Sequence, residues 1–260
     1  VAQTPKTLTP VRPNAGTEAA YRKAIDRQVR DMQASVEYWL RASYRANPPE
    51  LAHDASPAIE LRNAVRRLAR RWQRNFDALA PKMAAYFATA VSNRSAHSMR
   101  ATMRKAGWTV PFKPTRAMND AYQATIAENV GLIKSIPSEY FTQVEGLVMR
   151  SVQQGQDLSH LTDELEKRYG ITRRRAAFIA RDQNDKATAT FTRVRQIEAG
   201  VTHAIWVHSA GGRVPRPSHV AFSGERYDIR RGALIDGARI WPGELPNCRC
   251  VSRPCIPGFS

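Results

Sequence analysis

The stretch "QIEAGVTHAIWVH", residues 196–208, decides the fold because the pattern of apolar residues changes inside it. Before Gly200 the apolar side chains recur every three or four positions, the period of one helical face. From Val201 to His208 the run is rich in β-branched and aromatic residues and reads as a strand, with Gly200 as the helix stop. Beyond that point glycine and proline become frequent, as in a region of short elements and turns. The chain is therefore expected to be mainly α, a helical N-terminal body followed by a small α+β C-terminal domain.

Working back from Gly200, Thr172 reads as the cap of a long helix through "RRRAAFIARDQNDKATATFTRVRQIEAG". "LSHLTDELEKRYG" reads as a separate short helix, with Ser159 as N-cap and Gly170 beyond its end. Further upstream, Phe141, Val144 and Val148 mark a helix from Ser138 to about Gln154 that stops near Gly155. Tyr122, Ile126 and Val130 mark another from Met118 to Ile133. Pro81 is expected to start a helix running to about Lys105, after one that begins near Pro57 with Ile59, Leu61, Val65, Leu68, Trp72, Phe76 and Leu79 inward. The first helix, from Thr17 to about Ala46, turns Tyr21, Ile25, Val29, Met32, Val36, Trp39 and Leu40 to one side; "NPPELAHDASP" ends it. Residues 1–16, with three prolines and no apolar period, read as an extended arm suited to docking on a partner. The expected organisation is an arm (1–16), a helical domain (17–156) and a C-terminal domain (157–260).

With 260 residues, 42% of them hydrophobic and 24% charged, the chain can bury a sizeable core. No apolar run approaches the roughly 20 residues that cross a bilayer, and the first residues lack the apolar centre of a signal peptide. The expectation is a soluble, unexported chain without a membrane partner. Forty Lys and Arg against 23 Asp and Glu leave a net charge of +17, which favours association with polyanions, nucleic acid first.

Two clusters carry that charge in concentrated form. In "RNAVRRLARRWQR", Arg66, Arg70 and Arg74 align along a helix, as do Arg67 and Arg71, and such a stripe can follow a phosphate backbone. The competing reading is a solvated face with scattered ion pairs. Arg173, Arg174 and Arg175 form the second cluster; at the start of the expected helix they oppose its dipole, which favours a partner role. No phosphate-cradling glycine loop, nucleophile elbow or His-Glu metal motif is present. Asp182, Asp185 and Glu198 form a weak Mg²⁺ set, more simply read as a solvated or salt-bridged face. His203 and His208 read as packing or surface residues.

Trp206, Arg213, "RPSH" ending in His219, Gly224 and then "WPGELPNCRC" with Asn247, Cys248 and Cys250 form an ordered series of unlike residues. Here the sequence resembles the C-terminal domain of the Mu F-like phage minor head proteins. Their pattern runs from a tryptophan strand through Arg-Pro-(Ser/Glu)-His and a glycine to Pro-Gly and Asn-Cys-Arg-Cys. The likeness covers roughly Leu158 to Val251, including the helix before the domain. It departs in "SAGGRVPRPSH": Ala210, Gly211 and Gly212 stand where relatives carry an acid before the first arginine, and Pro215 is added. An acid-dependent mechanism is accordingly not expected.

The resemblance implies a non-enzymatic minor head protein inside the virion capsid near the portal, assembled in the host cytoplasm. Its implied partners are the portal or major capsid protein and non-specifically bound packaged double-stranded DNA. The alternative is a nucleic-acid- or nucleotide-directed enzyme or toxin, which requires a concave site with perturbed acids around His219. No catalytic residue and no required cofactor are assigned. All three cysteines lie within the last thirteen residues and do not resemble a disulfide framework. Cys248 and Cys250 alternate along the chain, on a segment the family pattern brings near His219. They are read either as compact core residues, the preferred reading, or as ligands of a structural zinc with His219 and with Cys255 or water fourth. Cys255 is otherwise expected to be a dispensable outlier near a flexible end.

Overall fold

The computed structural model describes residues 7–46, 56–153, 158–209 and 214–256. Residues 1–6 of the arm, most of the proline-rich break after Ala46, Gly155 and Arg213 lie outside the described residues. Four long helices are followed by short strands: α1 (Ala15–Ala46), α2 (Ser56–Lys105), α3 (Arg116–Gln153), α4 (Leu158–Glu198), β1 (His203–Val207), α5 (Pro217–Ala221), β2 (Arg226–Asp228), β3 (Ala233–Ile235), β4 (Ala238–Ile240) and β5 (Val251–Pro254). The fold is thus mainly helical with a small sheet-containing C-terminal region.

The helices are fewer and longer than expected. Pro81 lies inside α2 and Pro137 inside α3, so neither separates two helices. Each proline removes a backbone donor, at a cost of about 3 kcal/mol. Phe76, Ala80, Ala84 and Phe87 are buried around Pro81, and Ile136, Tyr140 and Phe141 around Pro137. Burying a large apolar side chain contributes about 1.5–3 kcal/mol, so several of them outweigh one proline. Gly170 likewise stays within α4, between buried Leu165 and Ala176. Ser159 is the second residue of α4. Thr172 caps nothing: its hydroxyl donates to the Arg168 carbonyl one turn back at 3.1 Å. Trp39 and Ile59, expected inward, are exposed.

The chain forms two compact units. One comprises residues 20–84 and 128–179; the other comprises 1–19, 85–127 and 180–260. The first is a packing of helical segments, with Ile25, Val29, Met32, Leu61, Phe76, Ile133 and Val144 essentially inaccessible. Polar cross-links are buried with them: Tyr21 donates to Asn129 Oδ1 at 2.8 Å, and Tyr140 donates to Gln33 Oε1.

The second unit holds the sheet. β1 is central in the order β2-β1-β5, antiparallel on both sides, with Ala204 opposite Tyr227 and Trp206 opposite Ser252. β3 and β4 form a hairpin turned by Asp236 and Gly237, both at positive φ, the Asp-Gly pair that a tight two-residue turn favours. Ala204, Trp206, Tyr227, Ile229, Ile235, Cys248 and Cys250 share its core.

The described part of the arm packs on its own chain. The Leu8 N–H donates to the Pro254 carbonyl at 2.9 Å, and Thr7 bridges to Cys255. Leu8 and Val11 are buried with Met99, Met103 and Ile256. This corrects the expectation of an arm held ready for a partner: Leu8 and Val11 are already enclosed inside the unit. Cys255 is corrected with it, being buried rather than an outlier.

Candidate metal centre and arginine-lined surface

Three segments bring the C-terminal motif together. α5 starts at Pro217, whose fixed φ suits the first helical position, and it carries the buried His219 near its end. β1 supplies Trp206, whose ring packs T-shaped on His219 at 5.1 Å and on Phe222 at 5.9 Å. The turn at Asn247 then delivers Cys248 and Cys250. Asn247 has φ +59, and its amide donates to Asp182 Oδ1 at 2.7 Å while Arg181 donates to its side-chain oxygen at 3.0 Å.

His219 Nδ1 lies 3.5 Å from Cys248 Sγ and 3.7 Å from Cys250 Sγ. The three ligand atoms all fall within 4.8 Å of one another, and all three residues are buried. Cys255 is not part of the group. The Gly243 N–H donates to Cys248 Sγ at 3.4 Å, and the Ser209 amide and Trp206 indole bear on Cys250. The proton held between the two sulfurs splits their behaviour: a hydrogen bond from Cys250 pushes Cys248 down, and Cys250 is pushed up in return.

Two glycines serve this arrangement. Gly224, at φ +98, donates its N–H to the Trp206 carbonyl at 2.8 Å and closes the chain back onto β1. Gly243, at φ +83, approaches α4 so closely that a Cβ would lie 2.8 Å from Ala189 Cβ.

Beside the motif is a pocket walled by Asp185, Thr188, Arg193, Trp241, Glu244 and Arg249. Arg193 lies over the Trp241 ring at 4.2 Å. Burial raises the Asp185 carboxyl to about 7. His219 does not line this pocket, but Cys250, whose Sγ lies 3.7 Å from His219 Nδ1, does. Asp182, Asp185 and Glu198 form no common set either: Glu198 is exposed roughly 24 Å down α4 from Asp182, where it accepts from Thr115.

Arg66, Arg67, Arg70, Arg71 and Arg74 are all exposed on α2. Arg66, with Arg62, pairs with Glu145 of α3 at 3.2 and 3.0 Å. On α4, Arg173 and Arg174 are exposed and Arg175 is half-buried. Arg173 reaches Asp26 at 3.8 Å, while Arg175 pairs with Glu139 and donates to Ser135. The second cluster is mid-helix, so the dipole penalty expected for it does not arise. Ser138 and Thr142 of α3 line both the groove beside Arg70 and the groove beside Arg175, so the two arginine clusters flank one α3 segment.

Sequence reasoning gave no role to Asp182, Gly243 or Arg195 of the kind the structure shows. Asp182, Gln183, Asn184 and Asp185 are consecutive and all buried. Four polar residues in a row span every face of a helix, so once α4 is enclosed by other elements some must point inward. Arg195 is buried too; its guanidinium donates to the hydroxyls of Ser95 and Ser92 at 2.7 and 2.8 Å.

Comparison with known proteins covers part of the chain. Residues 142–253 match the family described as Phage Mu protein F like protein. An uncharacterized protein of Haemophilus influenzae (strain ATCC 51907 / DSM 11121 / KW20 / Rd) is 34% identical over 139 residues, 54% of this chain. The aligned part is 30% of that relative's own length. No solved structure matches the chain. The family match takes in Trp206, His219, Gly224, Asn247, Cys248 and Cys250, and over that stretch the chain is similar to the Mu F-like proteins.

Proposed function

We propose that the chain is a non-enzymatic phage minor head protein, held inside the capsid near the portal and in contact with packaged double-stranded DNA. There it acts in head assembly or in DNA retention and ejection. The observation that carries this reading is the Mu F-like stretch at 142–253, which suggests a phage head-related protein. The exposed arginines on α2 and α4 support the DNA contact, since guanidinium groups along two helices that flank a third can bind successive phosphates. Portal or major capsid protein is the protein partner of this reading. No helix among the described residues is long and apolar enough to cross a membrane.

The test is location. Purified particles and emptied heads, analysed by mass spectrometry and by density maps around the portal vertex, should contain the chain in both. Absence from purified particles overturns the reading. Nucleic-acid cleavage by the purified chain would favour the alternative of an enzyme or toxin.

A further inference from the structure

We infer that His219, Cys248 and Cys250 form a structural zinc site that closes the C-terminal part of the second unit. Zinc bound by sulfur at about 2.3 Å and by imidazole nitrogen at about 2.0–2.1 Å has tetrahedral S···N edges of roughly 3.5–3.6 Å. The two S···N edges found here are 3.5 and 3.7 Å, and all three ligand atoms lie within 4.8 Å of one another, so the two S···N edges match those of a zinc site. The donor chemistry agrees, because two sulfurs and one imidazole suit zinc better than magnesium or calcium, which take oxygen.

Hydrogen-bond donors surround the two sulfurs. The Gly243 N–H is aimed at Cys248 Sγ. The Trp206 indole N–H, buried without an oxygen or nitrogen acceptor, bears on Cys250 together with the Ser209 amide. Such donors stabilise a thiolate more than a thiol, since hydrogen bonds to an ionised acceptor are about twice as strong. Two buried thiolates need a cation between them, and a divalent ion held by both supplies it.

The ligands come from separate elements, α5 and the turn after Asn247, 29 residues apart between His219 and Cys248. One ion therefore cross-links a region whose strands are only three to five residues long. Among the described residues no other His, Cys, Asp or Glu joins the group. The site stands on its own geometry and does not depend on the proposed place in a phage head.

The experiment uses the full chain. Purified without chelator, it should carry about one zinc per chain. Stripped of metal while still folded by circular dichroism, it should take up one Co²⁺ and develop the charge-transfer absorption of a cobalt thiolate. Cys255→Ser should keep both properties; His219→Ala, Cys248→Ser and Cys250→Ser should lose the absorption or bind cobalt at least tenfold more weakly. Folded parent chain that takes up neither zinc nor cobalt overturns the inference. So does metal that folded Cys248→Ser and Cys250→Ser chains retain with unchanged affinity. Because the parent titration needs no variant, the proposal stays testable if every ligand variant fails to fold.

Discussion

The Asn247 amide donates to the Asp182 carboxylate at 2.7 Å, and this bond fixes the turn before the two cysteines to the side of α4. Asp182 is 5% exposed and also meets Lys186 at 3.2 Å, so its charge is both hydrogen-bonded and paired. Replacing it by alanine removes the acceptor of the partly buried Asn247 amide, a charge-assisted bond, at a loss of about 1–3 kcal/mol. Thermal unfolding of Asp182→Ala should therefore show a clear drop. Asn247→Ala should also cost stability because Asn247 sits at positive φ, whereas Asn247→Gly should be milder. Equal melting of all three with the parent would refute this account of the turn.

The Asp185 carboxyl, raised from 3.8 to about 7 chiefly by burial, makes stability depend on pH in an unusual direction. Glu18 and Asp182 raise it further, and Arg249 and Arg181 pull it back. A folded-state value above the unfolded one means the native chain holds the proton more tightly. Stability should then fall as pH rises from about 4 to about 7, by on the order of a few kcal/mol from this group. Asp185→Asn removes the dependence, so the variant should melt higher than the parent at pH 8 and nearly with it at pH 4. A variant less stable than the parent at pH 8 would show that the carboxylate is better paired than its burial implies.

Gly243 tests the close approach of the Pro-Gly turn to α4. A methyl group there meets Ala189 Cβ at 2.8 Å, and φ is +83. Left-handed backbone costs an L-residue about 1–2 kcal/mol, and overpacking typically adds about 1–3 kcal/mol. Gly243→Ala should be among the most damaging single changes in the C-terminal part. Ala189→Gly in the same chain should recover the steric share but not the backbone share, which chemical denaturation of the single and double variants can separate.

Non-specific DNA affinity should rest unequally on the arginines. Arg66, Arg173 and Arg175 have acidic partners of their own, while Arg67, Arg70, Arg71, Arg74 and Arg174 have no ion pair among the described residues. Each phosphate that is no longer neutralised by an arginine lowers the salt slope of binding to duplex DNA by about 0.9. Replacing Arg70, Arg71 and Arg74 together should flatten the slope by more than replacing Arg66 and Arg175. An unchanged slope in the triple variant would remove α2 from the proposed DNA surface.

Periodicity made the order of elements legible. Tyr21 to Leu40 show α1 without ambiguity, and the β-branched run at Val201 to Val207 shows the change to strand. Helix ends were less legible, because proline and glycine report only local preference. At Pro81, Pro137 and Gly170, burial on both sides outweighs that preference, and burial is a property of partners far away in sequence. The cysteine motif could be singled out by its spacing, but the approach of His219 needed three-dimensional closure. Asp182 was visible only as one acid in a polar run; its role comes from an amide 65 residues away.

The arm gives the last test, since its apolar residues lie too far apart in a proline-rich stretch to show a period. Leu8 is 3% exposed against Met99, Met103 and Ile256, and its N–H extends the edge beyond β5 by bonding the Pro254 carbonyl. Truncating a buried leucine to alanine costs about 2–5 kcal/mol, depending on how far the site collapses. Leu8→Ala should fall within that range in chemical denaturation. Cys255, buried beside the Thr7 bridge with its own N–H on the His203 carbonyl at 3.0 Å, loses only one small atom on change to alanine and should cost about 1 kcal/mol. Because Cys255 pairs with the arm and not with His219, Cys255→Ala should leave metal content untouched, and Leu8→Ala and Cys255→Ala combined should fall short of additivity. Strict additivity would mean that Leu8 and Cys255 are held independently, and that the arm does not close this edge of the sheet.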